Sequence, residues 1–111
     1  MRDAIAAGLA KLGLDPVKAE ALTKYGTLLL EVNQVMNLTA ITDPVDVATL
    51  HMLDCAALCA HWDFGGKRLI DVGTGAGFPG LVIAILRPDC AVTLLDTLEK
   101  RLGFIRGVID A

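Results

Sequence analysis

Two carboxylates and a run of glycines are the residues of this chain best suited to chemistry. Asp71, Gly73, Gly75 and Gly77 fall at alternate positions, Gly80 follows, and Asp96 comes 21 residues after Gly75. Glycine reaches positive φ without penalty, and its missing Cβ lets a ligand lie against the backbone. The apolar run Leu69-Ile70-Asp71-Val72 precedes these glycines and Leu81-Val82-Ile83-Ala84-Ile85-Leu86 follows them. That order reads as strand, tight loop and helix. Pro79 suits the first helical turn, where its absent N–H is not missed. The loop then offers free N–H groups beside the carboxyl end of a strand, where open α/β sheets bind ligands. An acid roughly 20 residues further on is placed for ribose hydroxyls. Asp96 sits at that distance, and it also suits the start of the helix that follows it.

The glycines fit two registers. Gly75-x-Gly77-x-x-Gly80 matches the dinucleotide fingerprint, and Asp71-x-Gly73-x-Gly75-x-Gly77 matches the loop of S-adenosylmethionine-dependent methyltransferases. A dinucleotide fingerprint begins where the strand ends, and here the first glycine after Val72 is Gly73. Started there, the pattern falls out of register over Ala76-Gly77-Phe78. A carboxylate at Asp71 suits a ligand carrying an ammonium and a sulfonium, and repels a pyrophosphate. The methyltransferase register is therefore preferred. A nicotinamide-dependent oxidoreductase fragment is the alternative, followed by a non-catalytic fold whose glycine turn is purely structural. Asp96 does not discriminate, because dehydrogenases share such an acid.

The elements that must position these residues follow from the rest of the chain. Its 111 residues suffice for one domain, and 54% hydrophobic against 21% charged residues predicts a packed core rather than disorder. A net charge of -3 and a pI near 5.1 give no general basic field toward nucleic acid. Mean hydropathy is +0.57, yet the most apolar window, Leu69 to Leu86, is broken by Asp71, four glycines and Pro79, so no transmembrane helix is expected. The N-terminus carries Asp3 and no long apolar block, which argues against a signal peptide. Cys55, Cys59 and Cys90 are odd in number and not spaced as a metal ladder, which predicts reduced thiols in the cytosol.

Ile5, Leu9 and Leu12 predict a helix over 2–12 ending at Gly13. Asp15-Pro16 is a cap pair for a second helix to about Asn37, with Leu22, Tyr25, Leu28, Leu29, Val32, Val35 and Met36 at helical spacing. Asp43-Pro44 repeats the signature for a helix to about Ala60, with Val47, Leu50, Leu53, Ala57 and Leu58 expected inward. A linker over 61–67 contains Gly65-Gly66, and the strand, glycine loop and helix come next. Arg87-Pro88-Asp89 ends that helix, and Ala91 to Asp96 forms the second strand. Thr97 is expected to cap a last helix with Leu98, Leu102, Ile105, Val108 and Ile109 inward. Two parallel strands leave an open edge and need cover on both faces, so the 111 residues read as the front part of a longer domain.

Several segments together resemble one family. They are Leu30-Glu31-Val32-Asn33-Gln34-Val35-Met36-Asn37-Leu38-Thr39-Ala40-Ile41, His51-Met52-Leu53-Asp54-Cys55, the loop Asp71 to Gly80, and Leu95-Asp96-Thr97-Leu98-Glu99-Lys100-Arg101. In that order they are similar to the RsmG (GidB) family, bacterial 16S ribosomal RNA guanine-N7 methyltransferases. The resemblance spans nearly the whole chain. The family's usual tryptophan before Asn33 is Val32 here, and its usual serine after Asp54 is Cys55. The resemblance implies an α/β fold. An N-terminal helical region, 1–62, would precede the first half of a Rossmann-like class I S-adenosylmethionine-binding domain with a parallel sheet, 63–111. It implies S-adenosyl-L-methionine as cofactor, and 16S ribosomal RNA of the small ribosomal subunit as partner. It places Gly73 and Phe78 along the cofactor, with Gly75, Gly77, Asp71 and Asp96 in the roles argued above.

Guanine N7 carries an in-plane lone pair and needs no deprotonation before accepting a methyl. No residue of this chain is therefore expected to act as acid, base or nucleophile. Rate would come from in-line positioning, worth up to ~7–11 kcal/mol in favourable systems. His51, Cys55 and Cys59 share a helical face, but the face is apolar and the cysteines read as small core residues, so no metal is expected. His51 and Asp54 read as a local hydrogen-bonded pair. Lys67, Arg68, Arg87, Lys100, Arg101 and Arg106 read as a solvated face with Glu99 and Asp110 interspersed. Aromatic residues, at 5%, are too few for a main RNA-stacking surface.

Overall fold

The computed structural model describes residues 1–111. Helix α1, Arg2–Lys11, buries Ile5 and Leu9 and ends just before Gly13, as its apolar spacing requires. Asp15 accepts the Val17 N–H at 3.0 Å and starts a short 3₁₀ turn, Pro16–Lys18, that runs into α2, Ala19–Met36. The long α2 buries Leu22, Tyr25, Leu29 and Asn33 along one face, and Val35 points to solvent. Asn37 closes it in the left-handed region at φ 50°, a conformation asparagine tolerates better than most residues.

Asp43 caps the next helical segment by accepting the Val45 N–H at 2.8 Å. That segment begins as α3, Pro44–Asp46, continues as a π-helical stretch, Val47–Leu53, and ends as α4, Asp54–His61. The π stretch changes which side chains face inward. Its wider i→i+5 turns slip the apolar stripe by one residue. Val47 stays buried, but Ala48, Met52, Cys55 and Ala56 take the core positions, and the expected Leu50 is 55% exposed. Leu53, Ala57 and Leu58 are only half-buried.

Strands β1, Arg68–Val72, and β2, Ala91–Leu95, pair in parallel with Arg68 opposite Ala91 and Val72 opposite Leu95. Helix α5, Gly80–Leu86, makes the crossover and buries Leu81, Val82, Ile83 and Leu86. Side chains alternate on the pleat. Asp71 and Leu94 lie against α5, and Ile70 and Val72 stand exposed on the opposite face, Val72 at 77%. Arg87 pairs with Asp63 at 3.0 Å and Asp89 at 2.9 Å, tying the linker before β1 to the turn before β2.

The last helix, α6, is Glu99–Asp110. Thr97 does not cap it; the Asp96 carboxylate, two residues before Leu98, accepts the Leu98 N–H at 3.0 Å as the stronger, charged acceptor. Phe104 and Ile105 are its buried residues, and Leu98 and Ile109 are exposed. The inward face turns toward Phe104 because α6 also leans on α2, where the Phe104 ring meets Tyr25 at 6.3 Å. One continuous core runs from Ile5, Leu22 and Met52 of the helical part to Ala76, Leu81 and Phe104 of the strand-containing part. No helix is long and apolar enough to cross a membrane.

Candidate functional site

The glycine loop leaves β1 at Val72 and is fixed at both ends by one carboxylate. Asp71 Oδ2 accepts the Thr74 hydroxyl at 2.7 Å and the Gly80 N–H at 2.9 Å, so the start of the loop and the start of α5 share an acceptor. Gly73 and Thr74 donate their N–H groups to the Leu95 carbonyl at 2.8 and 3.0 Å, which hooks the loop over the end of β2. Gly77 and Phe78 donate to the Thr74 carbonyl at 3.0 and 3.1 Å, closing the turn. The path needs positive φ at three places, 73° at Gly73, 61° at Gly75 and 108° at Gly77. The Phe78–Pro79 peptide is cis.

The glycines are not equivalent. A Cβ added at Gly73 or Gly75 would meet nothing within 4 Å. At Gly77 it would come within 2.6 Å of the Tyr25 hydroxyl, and at Gly80 it would run into Leu94 and Asp71. Gly73 and Gly75 therefore leave open space, Gly77 permits close packing against Tyr25, and Gly80 permits close packing against the strands.

On the open side lies a cavity of about 330 Å³ lined by Val72, Gly73, Leu95, Asp96, Thr97 and Arg101. Asp96 is one of its walls, with its side chain only 2% exposed. One oxygen accepts the Leu98 N–H and the other the Gly75 N–H at 2.9 Å, and Arg101 Nη1 lies 3.4 Å away. The Leu98 N–H, then the Gly75 N–H and the Arg101 charge, hold this carboxyl below the usual aspartate range. Arg101 Nη1 also lies 3.5 Å from the second oxygen, so a ligand hydroxyl reaching Asp96 would replace one of these two long contacts.

On the filled side, the Tyr25 hydroxyl donates to the Ala76 carbonyl at 2.5 Å. Burial pushes the Tyr25 phenol well up, which keeps it a neutral donor. The Phe78 ring lies between two others, stacked on Tyr25 at 5.1 Å and on His51 at 4.2 Å with an angle of 4°. His51 Nε2 is 2.9 Å from Thr39 Oγ1, and Asn33 Oδ1 accepts the Thr39 N–H at 2.8 Å. Burial lowers the His51 pKa, with the Asp54 charge opposing it.

Of the six residues singled out in the sequence, Gly73 and Asp96 line one cavity and Gly75 adjoins it through its N–H on Asp96. Asp71 and Gly77 are turned to bracing the loop, and the Phe78 ring faces the helical region instead of the cavity. His51 and Asp54 do not pair: the π turn carries His51 toward Thr39 and leaves Asp54 exposed. Burial pushes the Cys55 thiol up to about 12. Arg87, Arg101 and Arg106 are engaged with Asp63 and Asp89, Asp96, and Glu99. Sequence reasoning missed Thr97 and Arg101 as cavity walls. The signal was their place in the first turn after β2, at the strand end where the loop already pointed. It also missed Tyr25, whose partner is 51 residues away.

Residues 18–111 match the family GidB, rRNA small subunit methyltransferase G. The chain is 48% identical over 113 residues to ribosomal RNA small subunit methyltransferase G of Leptothrix cholodnii, covering 96% of this chain and 52% of that protein. It is 45% identical over 108 residues to the protein of that name from Methylobacillus flagellatus, with the same coverage of 96% and 52%. The protein of that name from Symbiobacterium thermophilum is 48% identical over 107 residues, 94% of this chain and 44% of its own length. The chain spans about half the length of these curated relatives.

Proposed function

This chain belongs to the GidB family, rRNA small subunit methyltransferase G, and from that premise we propose that it is the cofactor-holding part of a ribosomal RNA methyltransferase. In this reading S-adenosyl-L-methionine is the methyl donor, and N7 of a guanine in 16S ribosomal RNA is the acceptor. Residues 63–111 carry the donor site, and residues 1–62 form a helical region behind it. A bacterial ribosomal RNA substrate would place the protein in the cytoplasm.

The observation that carries the reading is the meeting of Gly73 and Asp96 in one cavity at the carboxyl ends of two parallel strands, with Gly75 bound to Asp96 through its N–H. Asp96, held ionised by its N–H donors, would accept ribose hydroxyls in place of its long contacts to Arg101. Gly73 and Gly75 let a ligand approach the backbone where a Cβ would intrude. Asp71, Gly77 and Phe78 set the shape of the loop. When bound, the donor would supply an electrophilic methyl on a sulfonium. The residues of this chain orient it and move no proton, because guanine N7 already offers a lone pair.

The oxidoreductase alternative is disfavoured by the same geometry. Its register needs the second glycine, Gly77, open to a pyrophosphate, but Gly77 is packed against Tyr25 and Leu81. Calorimetric titration decides between the two. The chain is expected to bind S-adenosylhomocysteine and not NAD. Binding of NAD with no response to S-adenosylhomocysteine would refute the proposal.

A further inference from the structure

Two side chains of the helical region reach the glycine loop from the side away from the cavity. Tyr25, on α2, donates its hydroxyl to Ala76 O at 2.5 Å, in the middle of the loop. The hydroxyl passes where Gly77 has no side chain; a Cβ there would lie 2.6 Å from it. His51, in the π stretch, lies flat on the Phe78 ring at 4.2 Å, and that ring lies on Tyr25 at 5.1 Å. His51 is itself fixed through Thr39 Oγ1 at 2.9 Å, and Thr39 is fixed by Asn33 of α2, whose Oδ1 accepts its N–H at 2.8 Å. Both holds on the loop thus trace back to one helix.

A loop of small residues with three positive-φ glycines has no intrinsic reason to keep a single path. Asp71 and Leu95 fix its two ends. Between them, Ala76 and Phe78 are gripped by residues more than twenty positions away in sequence. We propose that Tyr25 and His51 are positioning residues of the donor site, which hold the glycine loop from the helical side in the shape that opens Gly73 and Gly75 toward Asp96. The helical region is then half of the donor site, although none of its residues lines the cavity. This rests on the cofactor reading above only for its consequence on affinity; the positioning itself is measurable without a ligand.

The test uses the whole chain and three substitutions, with amide hydrogen exchange and calorimetry with S-adenosylhomocysteine as readouts. Tyr25→Phe removes one hydroxyl and keeps the stack. His51→Ala removes ring and hydrogen bond, and His51→Phe restores a ring alone. A lost hydrogen bond of ordinary strength corresponds to roughly a fivefold to tenfold change. Exchange at the Gly77 and Phe78 amides is expected to speed by about that factor in Tyr25→Phe and His51→Ala, with Leu9 and Val82 unchanged. Affinity for S-adenosylhomocysteine should fall in parallel, and His51→Phe should recover most of both losses. Loop exchange that does not change, that rises only in step with Leu9 and Val82, or that His51→Phe fails to rescue overturns the inference. If the loop exchanges as expected but the unsubstituted chain binds no S-adenosylhomocysteine, the positioning stands and the cofactor reading falls.

Discussion

The two sides of the glycine loop are built from opposite materials. Toward the helical region the loop presents Ala76, Gly77 and the Phe78 ring to a closed wall of two rings, Tyr25 and His51. Toward the strand ends it presents Gly73 to an open cavity walled by Asp96, Thr97 and Arg101, and Gly75 donates its N–H to Asp96 beside it. One backbone segment thus uses glycine for two reasons. On the closed side a missing Cβ admits a neighbour of the same chain. On the open side it keeps a place clear. The contrast separates residues whose loss unfolds the site from residues whose loss empties it.

The largest effect should come from crossing that division. Gly77→Ala forces a side chain into positive φ and toward the Tyr25 hydroxyl, and should cost roughly 2–4 kcal/mol of stability from backbone strain and overpacking together. Gly73→Ala meets only the backbone cost, about 1–2 kcal/mol, yet should weaken S-adenosylhomocysteine binding at least about tenfold, a free-energy loss near 1.4 kcal/mol. Urea unfolding and calorimetry on both variants check the contrast. Equal stability losses, or unchanged affinity in Gly73→Ala, would break it.

A smaller effect follows from the charge on the open side. Asp96→Asn leaves a neutral group with one acceptor oxygen for two backbone N–H donors, Leu98 and Gly75, so affinity for S-adenosylhomocysteine should fall about tenfold from loss of charge-assisted hydrogen bonds. The Leu98 and Gly75 N–H groups lower the Asp96 pKa in the folded chain. Its contribution to stability is therefore present above the ordinary aspartate range and lost as pH falls through the folded value. Acid titration of the native chain should show that loss, and Asp96→Asn should not.

The smallest effect belongs to the closed side. Burial lowers the His51 pKa from its model-compound value of 6.5. Its contribution is present above 6.5 and shrinks as pH falls below it, because the unfolded chain then takes up the proton first. Thermal midpoints between pH 7 and pH 5 should drop more for the native chain than for His51→Phe. Parallel curves would mean that His51 is not held neutral against Phe78.

What the sequence made legible was local. Asp15 and Asp43 cap helices where Asp-Pro pairs predict them, and Asp71, Gly73 and Asp96 follow from strand–loop–strand spacing. What it hid was either a change of period or a long-range contact. The stripe over Val47–Leu53 predicts Leu50 inward, but a π turn obeys a different repeat and leaves it exposed, and no residue type announces that turn. Thr97 looked like a cap because its type suits one, but an acid just before it took the N–H. The family resemblance sets Phe78 along the cofactor, but nothing near it in sequence says that its ring turns to Tyr25 and His51.

The most direct test of the donor site is a nuclear magnetic resonance titration of the chain with S-adenosylhomocysteine, following the backbone amides. Shifts concentrated at Gly73, Gly75, Asp96 and Leu98 are predicted. Shifts confined to α2 and α6, or a loop that answers NAD and ignores S-adenosylhomocysteine, would contradict it.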